Sequence, residues 1–185
     1  MDDILDIIKK RMSIRAYKDK PLPETTLKKI LEAAQYAPTA RNMLELEYKV
    51  ITNQALTQKI SDRIAAILKQ EMASMPPRPP GAPAPPERPH FFYHAPLLLL
   101  VTGPQDNHYI YSDAALAIEN VMLYATSKNL GSCFIGMAAF IEKDKGLMKE
   151  LHIGDNMKIA GAVIVGYPNE TPEPKEKTFK AEYFK

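Results

Sequence analysis

The stretch "APLLLLVTG" (95–103) decides the fold class, because a short and continuously apolar run is typical of a β-strand that is buried on both faces. A second run of this kind, "KIAGAVIVGYP" (158–168), ends at a proline. A third stretch, "EYKVIT" (47–52), alternates as a strand does and is followed by Asn53, a good helix cap. These runs predict strands that lie far apart in the sequence.

Helical periodicity fills most of the remaining chain. The longest apolar segment, 110–130, carries apolar residues around nearly its whole circumference, which predicts burial in the core or against another subunit. Gly131 is its predicted C-cap. Because helices outnumber the separated strands, a layered α+β domain is predicted. The predicted helices cover residues 2–11, 24–37, 54–74, 110–130 and 142–151.

Composition limits the class of protein. The 185 residues are 45% hydrophobic and 25% charged, with a net charge of +2, which favours one globular domain over residues 1–185 and argues against nucleic-acid binding. Cys133 is the single cysteine, so an intrachain disulfide is excluded. The acidic start is unlike a signal peptide, and the longest apolar run is too short to cross a bilayer. We therefore expect a cytoplasmic protein that does not enter the membrane.

An abrupt change of composition occurs at "PPRPPGAPAPPERP" (76–89), where eight of fourteen residues are proline. Proline disfavours helix and favours an extended conformation, so this insert is interpreted as a semi-rigid surface loop. One alternative is that the insert carries "HFFYH" (90–94) over a pocket as a lid. Another is that it is a ligand for a proline-recognising domain.

The segment "RMSIRAY" (11–17) places Arg11, Ser13 and Arg15 at every second position. In an extended chain these three side chains project to one side, and the intervening apolar residues project to the other. Two guanidinium groups and a hydroxyl on one side could bind a phosphate group. The alternative is that both arginines are ordinary surface charges after a helix.

Three further stretches carry polar or glycine residues that could contact a ligand. After the last predicted strand, Lys175 and Lys177 repeat the spacing of two and would add two cations if this segment meets residues 11–15. The turn "AQYAPTARN" (34–42) presents small hydrogen-bonding side chains, and ordinary turn chemistry is the alternative reading. The apolar loop predicted at "GSCFIGMAAF" (131–140) contains a glycine that would let a flat ligand approach the backbone.

The histidines do not suggest a metal site. The four residues show no spacing typical of metal ligands; we expect His90 and His94 to be exposed loop histidines, and the alternative is that these two line an access channel. No metal is predicted. They are His90, His94, His108 and His152.

In order and spacing, these stretches resemble the nitroreductase family of FMN-dependent oxidoreductases. The resemblance covers nearly the whole chain and is carried by "RMSIRAY", "APTARN", "APLLLLV", "DAALAIENVMLYATSKNLGSCFIG" and "AGAVIVGYP" followed by "PKEK". It implies a three-layer α+β fold with a central, mostly antiparallel sheet flanked by helices. It also implies an intertwined homodimer, in which residues 172–185 form a C-terminal arm that extends onto the partner subunit.

The resemblance also implies FMN as the cofactor and assigns its binding residues. The first segment would contact the phosphate, ribityl or pyrimidine groups, and the lysines after the final strand would help to hold the phosphate. The proline–threonine–asparagine turn would reach the flavin of the other subunit, and the loop after the central helix would donate a backbone N–H toward N5. The implied residues are Arg11, Met12, Ser13, Arg15, Pro38, Thr39, Asn42, Ile135, Gly136, Met137, Lys175 and Lys177.

The implied activity is hydride transfer from NADH or NADPH through flavin N5 to nitro, quinone or similar acceptors, by ping-pong turnover. No catalytic side chain is assigned, because the flavin itself carries the hydride. The alternatives are a specialised flavin enzyme of the same fold, such as a reductive dehalogenase or a flavin-fragmenting enzyme, and a flavin-binding sensor without turnover. Residues 44–46, Leu-Glu-Leu, stand where many members have Gln-Pro-Trp, so the wall on the substrate side is expected to differ.

Overall fold

The computed structural model describes residues 3–74, 90–174 and 177–184. Four strands form one antiparallel sheet in the order β1-β2-β4-β3. Within the described residues, no helix combines the length and hydropathy needed to cross a membrane. The elements are α1 (Ile4–Lys10), α2 (Glu24–Gln35), β1 (Glu47–Ile51), α3 (Gln54–Ser74), β2 (Leu97–Pro104), α4 (Ile110–Ser127), β3 (Gly131–Phe134), α5 (Lys145–Glu150) and β4 (Met157–Gly166), with 3₁₀ helices at Ala40–Asn42 and Gly136–Lys143.

Strand β2 is buried on both faces, as its apolar run predicts. Leu98 and Leu100 pack in one cluster with α3, the second 3₁₀ helix and α5. Leu97, Leu99 and Val101 pack on the opposite face with α2 and α4. Burial of five such side chains contributes roughly 10 kcal/mol before conformational entropy is subtracted. The sheet is therefore the middle of three layers.

The end of α4 differs from the prediction. The helix ends at Ser127 with Lys128 as its C-cap, and Asn129 takes the left-handed conformation (φ 56°) that reverses the chain. Asparagine tolerates this conformation because its short polar side chain can hydrogen-bond locally. Gly131 is not a C-cap but the first residue of β3.

The region after α4 is also more regular than the predicted loop over residues 131–140. Residues 131–134 form a strand because they pair with β4, from Gly131 opposite Gly166 to Phe134 opposite Val163. The predicted helix over 142–151 is divided at Asp144, which ends the 3₁₀ helix and caps α5. A four-residue strand gives too short a periodic pattern to be recognised from sequence.

The aromatic segment at residues 90–94 belongs to the core. Phe91 and Phe92 are buried in the cluster that contains α3, and the Phe91 N–H donates to Ser61 Oγ at 3.0 Å. These contacts contradict the interpretation of this segment as a lid. The expectation of an exposed His90 is also wrong, because His90 is only 3% exposed. The proline-rich insert lies outside the described residues.

Buried His90 is held in its neutral form. Its Nδ1 accepts hydrogen bonds from the Phe92 and His94 backbone N–H groups at 3.1 and 3.4 Å, so the ring proton must be on Nε2. That buried Nε2 has no hydrogen-bond partner among the residues that the structure describes. Burial, with the nearby His94 ring, lowers the pKa of His90 from 6.5 to about 4, while Asp62 acts in the opposite direction.

We predict that His90 makes folding stability depend on pH between about 6.5 and 4. Between pH 6.5 and 4 the unfolded chain binds a proton at this histidine and the folded chain does not, so the free energy of unfolding decreases as the pH is lowered. Above pH 6.5 the histidine is neutral in both states and has no such effect. The loss should be on the order of 1–2 kcal/mol. Urea unfolding across this range would measure it.

The matched comparison is between His90→Gln and His108→Gln, since His108 is exposed. His90→Gln should flatten the dependence of unfolding free energy on pH, although the variant is less stable overall. His108→Gln should keep the wild-type slope. Equal slopes in all three proteins would show that His90 is protonated in the folded state.

Asp144 joins α5 to α3. Its carboxylate accepts from the Leu147 N–H at 3.0 Å as the N-cap of α5 and from Arg63 Nε at 2.5 Å. The Arg63 guanidinium, together with these backbone N–H groups, holds the pKa of Asp144 below its usual value. The carboxylate is therefore ionised at neutral pH, and it binds both the N-terminus of α5 and Arg63.

We predict that Asp144→Ala lowers the unfolding free energy by about 1–2 kcal/mol, because the helix cap and the ion pair are both lost. Asp144→Asn should cost less, since an amide oxygen can still cap α5. Glu150→Gln, which removes only the exposed pair with Lys59, should cost less than about 0.5 kcal/mol. Thermal unfolding of the three variants tests this order, and equal losses for Asp144→Ala and Glu150→Gln would contradict it.

Candidate functional site

Residues 11–17, called the basic segment, lie along β3. Ser13 forms a parallel bridge with Ser132, and the Ile14 N–H donates to Ser132 O at 2.9 Å. Ile14 is buried, whereas Arg15 is exposed and Arg11 is half-buried. Ile14 is thus the buried anchor of the segment and Arg15 is exposed, whereas Met12 and Ser13 are half-buried like Arg11.

Two glycines make room for this segment. Gly131 and Gly166 are opposite each other in the β3–β4 pairing. A Cβ on Gly131 would lie 2.7 Å from Ile14 Cγ1, and one on Gly166 would lie 2.8 Å from Tyr17 Cδ1 and 2.4 Å from Pro96 Cδ. Any larger residue at either position would displace the segment from the sheet.

The other side of the segment pairs with residues 167–174, which follow β4 and are called the strap. The Lys18 N–H donates to Tyr167 O at 2.9 Å, and the Asn169 N–H donates to Ala16 O at 2.9 Å. The first and last polar stretches singled out in the sequence thus meet in the folded chain. Their meeting makes a shared ligand geometrically feasible.

The two arginines of the segment lie near a buried thiol in β3. The Cys133 Sγ–H donates to the Phe134 carbonyl at 3.5 Å. Burial raises the pKa of the Cys133 thiol, and the nearby Arg15 and Arg11 guanidiniums act in the opposite direction. Arg11 Nε is 3.9 Å from a Glu119 carboxylate oxygen. Among the described residues, no carboxylate lies within 4 Å of the Arg15 guanidinium, so its charge is available to a ligand.

The predicted lysines are only partly covered by the structure. Lys175 lies outside the described residues. Lys177 is exposed, and no hydrogen bond or ion pair between described residues joins it to the basic segment. Beside that segment, between α1 and the strap, is a cavity of about 350 Å³ that includes Met12, one of the implied cofactor contacts. Its lining is Asp6, Lys9, Lys10, Met12 and Pro174.

The far end of β3 presents open backbone. Ile135 is buried and its N–H donates to Ala162 O at 2.9 Å, so it offers little to a ligand. Gly136 is exposed, and a Cβ there would meet nothing within 4 Å. Met137 packs partly against the core. Gly136 is four positions after Ser132 and two beyond the end of β3, so the Ser132 pairing site of the basic segment and this open surface are about 13 Å apart if the chain between them is extended.

The proline–threonine–asparagine turn is at the opposite edge of the sheet. It precedes β1, whereas the basic segment lies against β3, and three strand spacings amount to about 14 Å. The Ala40 N–H donates to buried Asp113 at 3.0 Å, and the Leu44 N–H donates to Thr39 Oγ1 at 3.1 Å. No hydrogen bond between described residues joins residues 38–44 to residues 11–17. One chain thus carries two separate groups of candidate residues.

The turn itself is strained. Arg41, Asn42 and Leu44 have φ values of 53°, 55° and 55°. Left-handed backbone costs on the order of 1 kcal/mol or more at residues other than glycine and is concentrated at functional sites. Asp113 and Thr39 hold this conformation from two sides. Pro38 lies directly before it, and the assignment of the turn as a binding element stays a prediction.

Sequence reasoning missed two residues that support the site. Asp113 lies in the first turn of α4, where an acidic residue is expected from the helix dipole alone, so its bond to Ala40 gives no local signal. Glu170 accepts a hydrogen bond from the Arg15 N–H across 155 positions of sequence. No pattern within a short window could reveal that partnership.

Comparison with known proteins identifies the family. The model of the nitroreductase family matches residues 8–167, more than half of the chain. A nitroreductase with bound FMN from Bacteroides fragilis is 30% identical, with a TM-score of 0.80 over 100% of this chain and 98% of its own. A candidate NADH dehydrogenase/NAD(P)H nitroreductase from Archaeoglobus fulgidus is 26% identical over 174 residues, which are 92% of this chain and 88% of that protein.

The fold has a further match in a nitroreductase with bound FMN from Desulfitobacterium hafniense, with a TM-score of 0.84 over 100% of both chains at 23% identity. These matches confirm the three-layer α+β fold implied by the resemblance. The family match covers the basic segment, the strained turn, the end of β3 and the start of the strap. The chain belongs to the nitroreductase family.

Proposed function

We propose that this protein is an FMN-dependent oxidoreductase that takes a hydride from NADH or NADPH and passes it to a nitro, quinone or similar acceptor. The observation that carries the proposal is the pair of ligand-accessible groups along β3. Within the described residues no carboxylate lies within 4 Å of the exposed Arg15 guanidinium, and the open backbone of Gly136 lies two residues beyond the end of β3. Family membership and the FMN-bound Bacteroides fragilis relative support the same cofactor.

The residues present fit FMN in shape and charge. Ser132, which pairs with the basic segment, and Gly136 are about 13 Å apart along the chain, and FMN is elongated, with a flat ring system at one end and a phosphate at the other. Arg11, Ser13 and Arg15 would hold its anionic or carbonyl groups, with Met12 beside them. Lys175 and Lys177 would add charge for the phosphate. The flat ring would lie at Gly136, where no side chain of the described chain intrudes.

FMN, when bound, accepts the hydride and delivers it to the acceptor. The chain contributes position and charge. A guanidinium at Arg15 stabilises negative charge on a group bound next to it. Gly136 begins a 3₁₀ helix, so its N–H lacks an intrahelical partner and can donate to a ligand nitrogen. Ile135 and Met137 fix that backbone by packing into the core.

We propose a homodimer for two reasons. Helix α1 buries no residue in the single chain and exposes Ile4, Leu5 and Ile8. The described part of the C-terminal arm exposes Phe179 and Phe184 at 87% and 89%. A second copy would cover these surfaces and would bring its Thr39–Asn42 turn to the basic segment, two groups that one chain holds at opposite sheet edges.

One pocket over the cofactor is proposed to serve both substrates in turn, which gives ping-pong kinetics. No nicotinamide-binding fingerprint occurs in the sequence, and a shared pocket needs none. Leu44 is 63% exposed on the strained turn and lines a cavity of about 340 Å³ with Leu46 and Tyr48. We propose that this apolar wall contacts the acceptor.

We predict that the purified protein shows flavin absorption bands that bleach on anaerobic addition of NADH or NADPH. Arg15→Ala should weaken FMN binding by about 10- to 100-fold, because a charge-assisted contact is lost. Flavin fluorescence titration of the apo-protein measures the dissociation constant. Lys28→Ala, which removes a positive charge from the exposed face of α2, is the control and should bind FMN as the wild type does.

Each result separates the proposed function from its alternatives. Bands that persist with both nicotinamides would favour a flavin sensor. Rapid turnover with only one narrow class of acceptor would favour a specialised enzyme of the same fold. A colourless protein that takes up no added FMN would contradict the proposal.

We predict different effects for two glycine substitutions, Gly131→Ala in β3 and Gly136→Ala after its end. Gly136→Ala should leave the melting temperature unchanged, since its Cβ meets no atom, and should weaken FMN binding because the methyl group enters the cofactor's space. Gly131→Ala should cost about 1–3 kcal/mol of stability, because its Cβ collides with Ile14. Thermal unfolding of the apo-protein and FMN titration measure the two effects. Unchanged FMN affinity in Gly136→Ala would place the ring elsewhere.

A further inference from the structure

We propose that Glu170 is a positioning residue that fixes the main chain of Arg15, so that the Arg15 guanidinium points to the ligand. This inference rests on the proposed function for the identity of that ligand. The observation is a hydrogen bond from the Arg15 backbone N–H to the Glu170 carboxylate, between the first and last candidate stretches of the chain.

Arg15 occupies the point at which the segment changes partners. Ser13 pairs in parallel with β3, and Tyr17 pairs in the antiparallel direction with Pro168 of the strap. Between these two bridges the N–H of Ile14 is used by β3, and the carbonyl of Ala16 is used by the strap. Neither neighbour supplies a main-chain acceptor to Arg15, and the Glu170 side chain takes that place.

The choice of the backbone as partner has a consequence for the side chain. A carboxylate so close to an arginine would ordinarily pair with the guanidinium. Here Glu170 binds the N–H of Arg15, and within the described parts of the chain the guanidinium of Arg15 has no carboxylate within 4 Å. Glu170 therefore holds the arginine in place without consuming its charge.

The same contact anchors the strap. Glu170 directly follows Asn169, whose N–H is bonded to Ala16. The chain then runs through Pro172 and Pro174 toward the two lysines proposed to bind the phosphate. A carboxylate bond at this position sets where the lysine-bearing part of the chain begins relative to the arginines.

The test uses three variants of the full-length protein. Glu170→Ala removes the acceptor and the charge, Glu170→Gln keeps an amide oxygen as acceptor, and Glu173→Ala removes the same charge from the same strap. Glu173 is exposed. Two quantities are measured: the hydrogen-exchange rate of the Arg15 amide in the apo-protein, by nuclear magnetic resonance, and the dissociation constant of FMN.

In Glu170→Ala we expect the Arg15 amide to exchange at least tenfold faster and FMN to bind roughly tenfold more weakly. Glu170→Gln should restore most of both properties, and Glu173→Ala should match the wild type in exchange. If instead both Glu170 variants bind FMN more tightly and the Arg15 amide is unaffected, Glu170 acts only as a repelling charge and the proposal is wrong.

The exchange measurement needs no cofactor. If the wild-type protein fails to bind FMN while the Arg15 amide responds to Glu170 as expected, the proposed function fails and the positioning role stands. If the wild type binds FMN and Glu170→Ala changes neither quantity, the positioning role fails and the proposed function stands.

Discussion

The close contact of residues 14–17 with a pair of glycines is the constraint on which the candidate site depends. Gly131 and Gly166 face each other across β3 and β4, and any side chain at either would collide with Ile14 or Tyr17. Because these apolar contacts hold the segment down, Ser13 and its flanking arginines are carried to the edge of the sheet, where Arg11 is near Glu119. Packing supplies the position, and among the described residues the charge of Arg15 is left for a ligand.

The arrangement of charge follows from the fact that apolar packing positions the segment. Arg15 is exposed, so leaving its guanidinium unpaired has little desolvation cost. The carboxylate of Glu170 is close enough to neutralise it and instead accepts the backbone N–H. Two residues beyond the end of β3, Gly136 offers backbone with no side chain in front of it. A cationic group and open backbone thus both lie close to one short strand, which suits a ligand with a phosphate and a flat ring.

The sequence predicted what is encoded locally. The apolar run of β2, the bounds of α3 and the cap at Asn53, which accepts the Leu56 N–H at 3.1 Å, all depend on neighbours within a few residues. What failed depends on distant partners: β3 is a strand only because β4 lies beside it, and His90 is buried only because the core forms around it. Glu170 could not be found without the fold.

The two groups of candidate residues lie at opposite edges of the sheet, and each is held there by its own contacts. The strained turn at residues 38–44 is held by Asp113 at the β1 edge, and the basic segment is held by glycines at the β3 edge. Both are over-determined by their surroundings, so neither can move to the other within a rigid three-layer chain. In the proposed homodimer, each group would reach the cofactor from a different copy. The dimer would then complete the site, and its interface would cover the apolar residues that α1 exposes in a single chain.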